Sequence, residues 1–192
     1  MENTDPGNWE SAVVSPETVI AKIKPGMSVF LGTAMAEPRT MVRHLMTSDA
    51  KNLEDLELIQ LVSFGDAVSL RSLRSQNYRL KTFFSGWVAS EAIEEGRVDL
   101  IPSRFVKIPQ LIESLLRPVD VAVVQITPPD ADGFCSLGIA IDVAHEALEH
   151  AAGEVMEEAA SRLVLVGAEA GIQTILRLMV ERAPLRDRTL AV

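Results

Sequence analysis

Apolar residues in this chain fall into two spacings that alternate from one end to the other. Short β-branched or alternating runs at Ser28–Leu31, Leu56–Val62, Leu80–Phe84, Val98–Ile101, Val119–Ile126 and Leu163–Val166 read as strands. Helical spacing fills the intervals. Ser15 as N-cap and Pro16 at the first helical position open a helix whose apolar face is Val19, Ile20 and Ile23, and Pro25-Gly26 stops it. A second helix, about Pro38–Met46, sets Met41, Val42, Leu45 and Met46 inward. Ser90–Glu95, closed by Gly96, and Pro109–Leu116 make two more. Asp142 is placed to cap a long helix in which Ala144, Ala147, Leu148, Ala151, Ala152, Val155, Met156 and Ala159 recur at i, i+3, i+4 to about Ser161. Gly171–Glu181 reads as a helix and Leu190–Val192 as a terminal strand, while residues 1–14 read as a loose lead-in.

Strands alternating with helices, without an internal repeat, predict an α/β fold with a mostly parallel sheet flanked by helices. The 192 residues suit one domain, here 15–192. At 47% hydrophobic and 23% charged residues, the composition is that of a globular protein. The net charge of −9 argues against nucleic acid or an anionic membrane as partner, since either needs a basic face. No apolar run reaches the roughly 20 residues a membrane helix needs. The polar, acidic start, Met1-Glu-Asn-Thr-Asp, does not resemble a signal peptide, and a single cysteine fits a reducing compartment. A cytoplasmic location is expected.

The segment that organises the chain is Val119–Gly138. A buried strand runs into Pro128-Pro129, where neither residue can donate a backbone hydrogen bond, then into an Asp132-Gly133 turn and Ser136-Leu137-Gly138. The ordered set Thr127-Pro-Pro-Asp-Ala-Asp-Gly-Phe-Cys-Ser-Leu-Gly138 resembles a segment of the acetyl-CoA hydrolase/transferase family, which includes the 4-hydroxybutyrate CoA-transferases, with Thr127 in the place of a serine. Three further segments resemble that family in order. They are Ile23-Lys-Pro-Gly26 with Val29–Gly32 and Pro38, then Phe84-Ser-Gly-Trp87 with Ala92 and Glu95-Gly-Arg97, then Asp99-Leu-Ile-Pro102 with Ile108-Pro109. The resemblance spans roughly residues 18 to 145. Ala34 stands where the family often has a second glycine, and the tail after about 146 diverges.

The resemblance implies the α/β fold of CoA transferases, shared with certain sugar-phosphate isomerases. It also implies transfer of CoA between carboxylic acids through a glutamate that becomes an acyl anhydride and then a glutamyl-CoA thioester. In the family that glutamate lies in a second half, so no catalytic residue is assigned in these 192 residues. The chain is expected to be an N-terminal domain that is inactive alone and is completed by a C-terminal half, or else an inactive remnant that binds CoA or acyl-CoA. A sugar-phosphate-binding member of the same broad fold is a third reading. Coenzyme A or acyl-CoA is expected as substrate, with no covalently bound cofactor. The other expected partners are a small carboxylic acid and either a homo-oligomer or the complementing half. Which acyl group is carried is not written in any residue.

Candidate substrate or CoA contacts are Gly32, Thr33 and Ala34, in a strand–glycine–helix turn that can aim N–H groups at an anion, and Ser63, Gly65, Ser85 and Gly86 at predicted strand ends. Each also has a plain explanation as turn chemistry. Cys135 is read as an inert thiol. His145 and His150, five apart on one helix, face different ways and do not suggest a metal site. Gly167-Ala-Glu-Ala-Gly171 lacks both a dinucleotide fingerprint and a Walker lysine.

Overall fold

A computed structural model describes residues 13–63, 67, 78–114, 119–127, 135–138, 140–151, 153–158 and 163–166. In chain order the elements are β1 (Val13–Val14), α1 (Pro16–Ile20), β2 (Ser28–Leu31), α2 (Arg39–Thr47), β3 (Leu56–Val62), β4 (Tyr78–Phe84), α3 (Gly86–Glu94), β5 (Val98–Leu100), α4 (Ile108–Ser114), β6 (Val121–Ile126), α5 (Ala144–His150), β7 (Gly153–Glu158) and β8 (Leu163–Val166). Short 3-10 turns at Ala34–Ala36 and Phe105–Lys107 precede α2 and α4. One eight-stranded sheet has the order β1-β8-β7-β6-β2-β3-β4-β5. Its ladders are parallel from β7 through β5 and antiparallel where β8 joins β7 and β1. The α/β, mostly parallel architecture is therefore as the alternation predicts.

Each face of the sheet carries its own core. Alternate residues of the strands (Val29, Leu31, Leu56, Leu58, Leu80, Val123) pack with Val19, Met41, Val42 and Leu45 of α1 and α2 and with Ala89 and Ala92 of α3. The other set (Phe30, Ile59, Leu61, Ala122, Val124) packs with Ile108 and Ile112 of α4 and Ala144, Ala147 and Leu148 of α5. Burial of this kind is worth about 1.5–3 kcal/mol for each large aliphatic or aromatic side chain. Polar ties fix the register at the N-terminal ends of the central strands, where the Asp120 carboxylate accepts from the Ser28 N–H at 2.8 Å and from its hydroxyl at 3.2 Å. Ser15 caps α1, accepting from the Thr18 N–H at 3.3 Å, and Asn52 donates at 2.7 Å to the carbonyls of Ile20, its last residue, and of Ile23 just beyond.

Three elements differ from the sequence reading. Val13–Val14, placed in the loose lead-in, form β1, since two β-branched residues supply the outer edge of β8 with an antiparallel partner. Helix α3 begins at Gly86 rather than Ser90, with Gly86 at φ +45°. The long helix expected to reach Ser161 ends at His150. Ala151 turns extended, and Gly153–Glu158 pair with β6 along its whole length, from Val121↔Gly153 to Ile126↔Glu158. Without that strand β6 would present an open row of N–H and C=O groups, and completing the ladder outweighs the helical spacing of the alanines. The expected helix at Gly171–Glu181 and strand at Leu190–Val192 lie outside the described residues. Among the described residues no helix is long and apolar enough to cross a membrane.

Candidate functional site

Strand order locates the site. From β2 the chain proceeds outward on one side through β3, β4 and β5, and on the other side β2 is flanked by β6 and β7. The connection leaving β2 passes through α2, packed on one face, whereas the connection leaving β6 passes through α5, packed on the opposite face. Loops departing in opposite directions from adjacent parallel strands open a crevice at their carboxyl ends, the usual binding position in open α/β sheets. The Gly32 loop stands on one side of that crevice, and Thr127 and Ser136 on the other.

The β2 loop is shaped by close approach and held by side chains of β3. A Cβ added to Gly32 would lie 2.6 Å from the Ala36 carbonyl oxygen, so only glycine fits without moving backbone. The Gly32 N–H donates to the Val123 carbonyl at 2.8 Å, joining the loop to β6 across the crevice. Thr33, 5% exposed, takes the place of a strand residue, with its hydroxyl accepting from the Val62 N–H at 3.0 Å and donating to the Val62 carbonyl at 3.4 Å. Ala34 adopts φ +50°, the left-handed conformation that favours glycine. The glycine-type turn is thus kept with an alanine in it. Among the described residues, no hydrogen bond engages the N–H of Thr33, Ala34 or Met35.

Beneath the loop lies a buried polar cluster that the sequence reading does not single out. Gln60 and Thr82, register partners on β3 and β4, occupy the face that Leu56, Leu58 and Leu80 fill with hydrocarbon. Gln60 donates from Nε2 to the Gly32 carbonyl at 3.0 Å and to Glu37 Oε2 at 2.9 Å, and its Oε1 accepts from the Ser63 hydroxyl. Thr82 donates to the carbonyls of Leu61, at 3.2 Å, and Phe84, at 3.1 Å. Glu37, Gln60, Ser63 and Thr82 are all 1% exposed or less. Gln60 has a visible signal in the sequence, a polar residue at the inward position of an otherwise apolar alternation. Glu37 has none beyond its place before Pro38.

Of the residues nominated from sequence, Gly32, Thr33 and Ser63 are brought together through Gln60 and Val62, and Ala34 continues the same loop. Ser63 is wholly buried, with its proton committed to Gln60. Ser85 is exposed at the end of β4 and Gly86 opens α3, where Ser90 donates to its carbonyl at 2.9 Å. Among the described residues, no hydrogen bond joins Ser85 or Gly86 to the β2 loop. Gly65 lies outside the described residues.

Across the crevice, the loop leaving β6 is closed at its base. The Thr127 N–H donates to the Ser136 carbonyl at 2.8 Å and the Ser136 N–H to the Thr127 hydroxyl at 2.9 Å, so Thr127 holds Ser136 by both backbone and side chain. Farther on, Asp142 sits at φ +31° and its carboxylate accepts from the N–H groups of Val143 and Ala144 at the start of α5. Burial raises its pKa above the ordinary carboxylate value, against those two hydrogen bonds and with a smaller contribution from Glu146. Cys135 is half-buried against the core of that face.

Comparison with known proteins agrees with this fold. Residues 2–160 match the acetyl-CoA hydrolase/transferase N-terminal domain, a span that runs past the point where the sequence motifs end. The 4-hydroxybutyrate coenzyme A transferase of Clostridium kluyveri is 29% identical over 143 residues, 74% of this chain and 33% of that protein. RipA from Yersinia pestis superposes with a TM-score of 0.68 at 20% identity, over 81% of this chain and 38% of that one. A chain of a variant of the decarboxylase AibA/AibB superposes with a TM-score of 0.53 at 18% identity, over 76% of this chain and 73% of that one. The chain spans about a third of the length of the curated relatives it matches. It belongs to the acetyl-CoA hydrolase/transferase family and corresponds to that family's N-terminal domain.

Proposed function

We propose that this chain forms one wall of an acyl-CoA cleft in a CoA transferase or acyl-CoA hydrolase, with the crevice between β2 and β6 receiving the acyl-CoA and the carboxylic acid. The observation that carries the reading is the β2 loop, a glycine-dependent turn in which, among the described residues, the N–H groups of Thr33, Ala34 and Met35 make no hydrogen bond, with a buried polar cluster behind it. Free backbone donors in a fixed loop suit a carboxylate, a thioester carbonyl or a phosphate. The nucleophilic glutamate of the family's chemistry comes from a second half, supplied in the same polypeptide or by another chain.

The distribution of exposed hydrocarbon supports a second surface. Among the described residues the exposed large hydrophobic side chains are Met35, Trp87, Leu100, Phe105, Val106 and Ile141. Each is the last residue of a parallel strand or lies in the connection that follows one. Phe105 also stacks on Phe84 with ring centroids 6.4 Å apart. Exposed apolar side chains favour association where they adjoin one another. The AibA/AibB chain, of which 73% is covered, carries the same fold.

Titration calorimetry of the 192-residue protein with CoA and acetyl-CoA, with thioester turnover read alongside, tests the reading. Binding without turnover is the expected result. Turnover by this chain alone would refute the assignment of the nucleophile to a second half. Absence of binding would leave the fold without its proposed ligand, unless adding the complementing half restored it. Light scattering tests association, with a dimer or larger assembly expected and a monomer contradicting it.

A further inference from the structure

The hydrogen bonds around Gln60 bear on how the β2 loop is aimed, an inference that rests on the reading of that loop as an anion site. Gln60 is fully buried and its amide is held from three directions, by the Gly32 carbonyl, the Glu37 carboxylate and the Ser63 hydroxyl. Glu37 Oε2 accepts from Gln60 Nε2, the NH2 side of the amide, and an ionised carboxylate has no proton to offer the amide oxygen. The Ser63 proton meets the opposite side. Together they leave the amide one orientation, with its NH2 toward the Gly32 carbonyl.

That orientation propagates along the backbone. The peptide between Gly32 and Thr33 is planar and trans, so its C=O and N–H point in opposite directions. Fixing the Gly32 carbonyl against Gln60 turns the Thr33 N–H away from the buried amide, and among the described residues that N–H has no acceptor. We propose that Glu37 and Gln60 are positioning residues. The carboxylate fixes the amide, the amide fixes the Gly32–Thr33 peptide, and the peptide presents the Thr33 N–H to the bound anion. A neutral glutamine at position 37 would offer both a donor and an acceptor, and Gln60 could then turn over. This gives a reason for an acidic side chain in so buried a place.

The test separates aiming from mere support. The exchange Glu37→Gln with Gln60→Glu keeps a buried amide–carboxylate pair and the total charge, but sets an acceptor against the Gly32 carbonyl. Two quantities are read: the Thr33 amide resonance of the ligand-free protein by 1H–15N NMR, and acetyl-CoA affinity by calorimetry. The exchanged pair is expected to fold, to shift the Thr33 resonance and to weaken acetyl-CoA about tenfold, the loss of one hydrogen bond to the ligand. Glu37→Gln alone, which changes one atom, is expected to shift or split the same resonance with an unchanged circular dichroism spectrum, and it decides the matter if the exchanged pair does not fold. A Thr33 resonance that stays in its wild-type position in Glu37→Gln overturns the proposal. So does a resonance that moves while acetyl-CoA affinity holds. If the wild-type protein itself binds no acetyl-CoA, the proposed function is what fails, and the Thr33 resonance still decides whether Glu37 sets the peptide.

Discussion

Replacing Gly32 with alanine probes the tightest point of the fold. The new methyl carbon would lie 2.6 Å from the Ala36 carbonyl oxygen and 3.4 Å from Pro38 Cδ. Carbon–oxygen contacts normally settle at about 3.3 Å, so the loop must open by roughly 0.7 Å. The obstructing atom is backbone, and the loop around it is held by three bonds of ordinary length: Gly32 N–H to Val123, Gln60 to the Gly32 carbonyl, and Ala36 N–H to the Thr33 carbonyl at 2.8 Å. Overpacking of this kind costs about 1–3 kcal/mol. Gly32 does not sit at positive φ, so alanine also gains about 0.4–1 kcal/mol by narrowing the unfolded ensemble. The net expectation is a loss of about 1–2 kcal/mol, or a fall in Tm of about 2–8 °C for a chain of this size. Equilibrium urea unfolding, followed by circular dichroism and tryptophan fluorescence so that coincident transitions establish two-state behaviour, measures it. A variant at least as stable as the wild type would show that the Ala36 carbonyl yields freely, and that the glycine is there for something other than space.

Ala34→Gly should act in the opposite direction. Relief of the left-handed backbone, about 1–2 kcal/mol, exceeds the entropic cost of glycine, about 0.5–1 kcal/mol, and a small rise in Tm follows; a fall would mean that the +50° φ is not maintained in solution. Asp142→Asn keeps the acceptor for the Val143 and Ala144 N–H groups and removes the charge that burial disfavours. The folded pKa lies above the ordinary value of 3.8, so the wild type is favoured by this group below pH 3.8 and loses that stability as pH rises through the folded pKa. The variant is expected to gain stability at neutral pH relative to wild type but not below pH 3.8, in urea titrations at both; an equal gain at both would remove titration as the cause. Thr127→Val leaves the Ser136 N–H without its side-chain acceptor and should speed amide exchange at Ser136, with a loss of about 0.5–1 kcal/mol in overall stability. Unchanged exchange there would mean that the loop base is held by other contacts.

Strands are the legible part of the sequence, for a physical reason. Leu56–Val62, Ser28–Leu31 and Leu163–Val166 are observed with the ends read from sequence, because a buried strand demands apolar residues at fixed spacing and turn residues interrupt it abruptly. Gly153–Glu158 is misread as helix because Val155 and Met156 continue the helical spacing of the alanines around it, whereas the unpaired side of β6 makes a demand that only the assembled sheet reveals. The loop at Gly32 is legible as a place but not as a mechanism. Glycine suggests conformational freedom, yet Gly32 is needed for space, and the left-handed residue two positions on is an alanine. The cluster behind it joins Glu37 to Gln60 of β3, 23 positions on, and to Ser63 just past that strand, and no local pattern encodes such a meeting.

The pairing of β1 with β8 has a consequence for how the chain is made. Val13 and Val14 meet Val164 and Leu163, so a strand that leaves the ribosome early must wait for a partner roughly 150 residues behind it, and closing so long a loop is slow. Until β8 is synthesised and laid against β7, those two valines have no ladder to join, while the more local β3–β4 and β4–β5 pairs can already form. A truncation that begins after Val14 would still leave the central sheet able to form, but would expose the outer row of β8 as a template for a neighbouring chain. Recombinant chains that keep Val13 and Val14 should therefore yield more soluble protein than ones that start at Ser15, with the difference growing at higher synthesis rates.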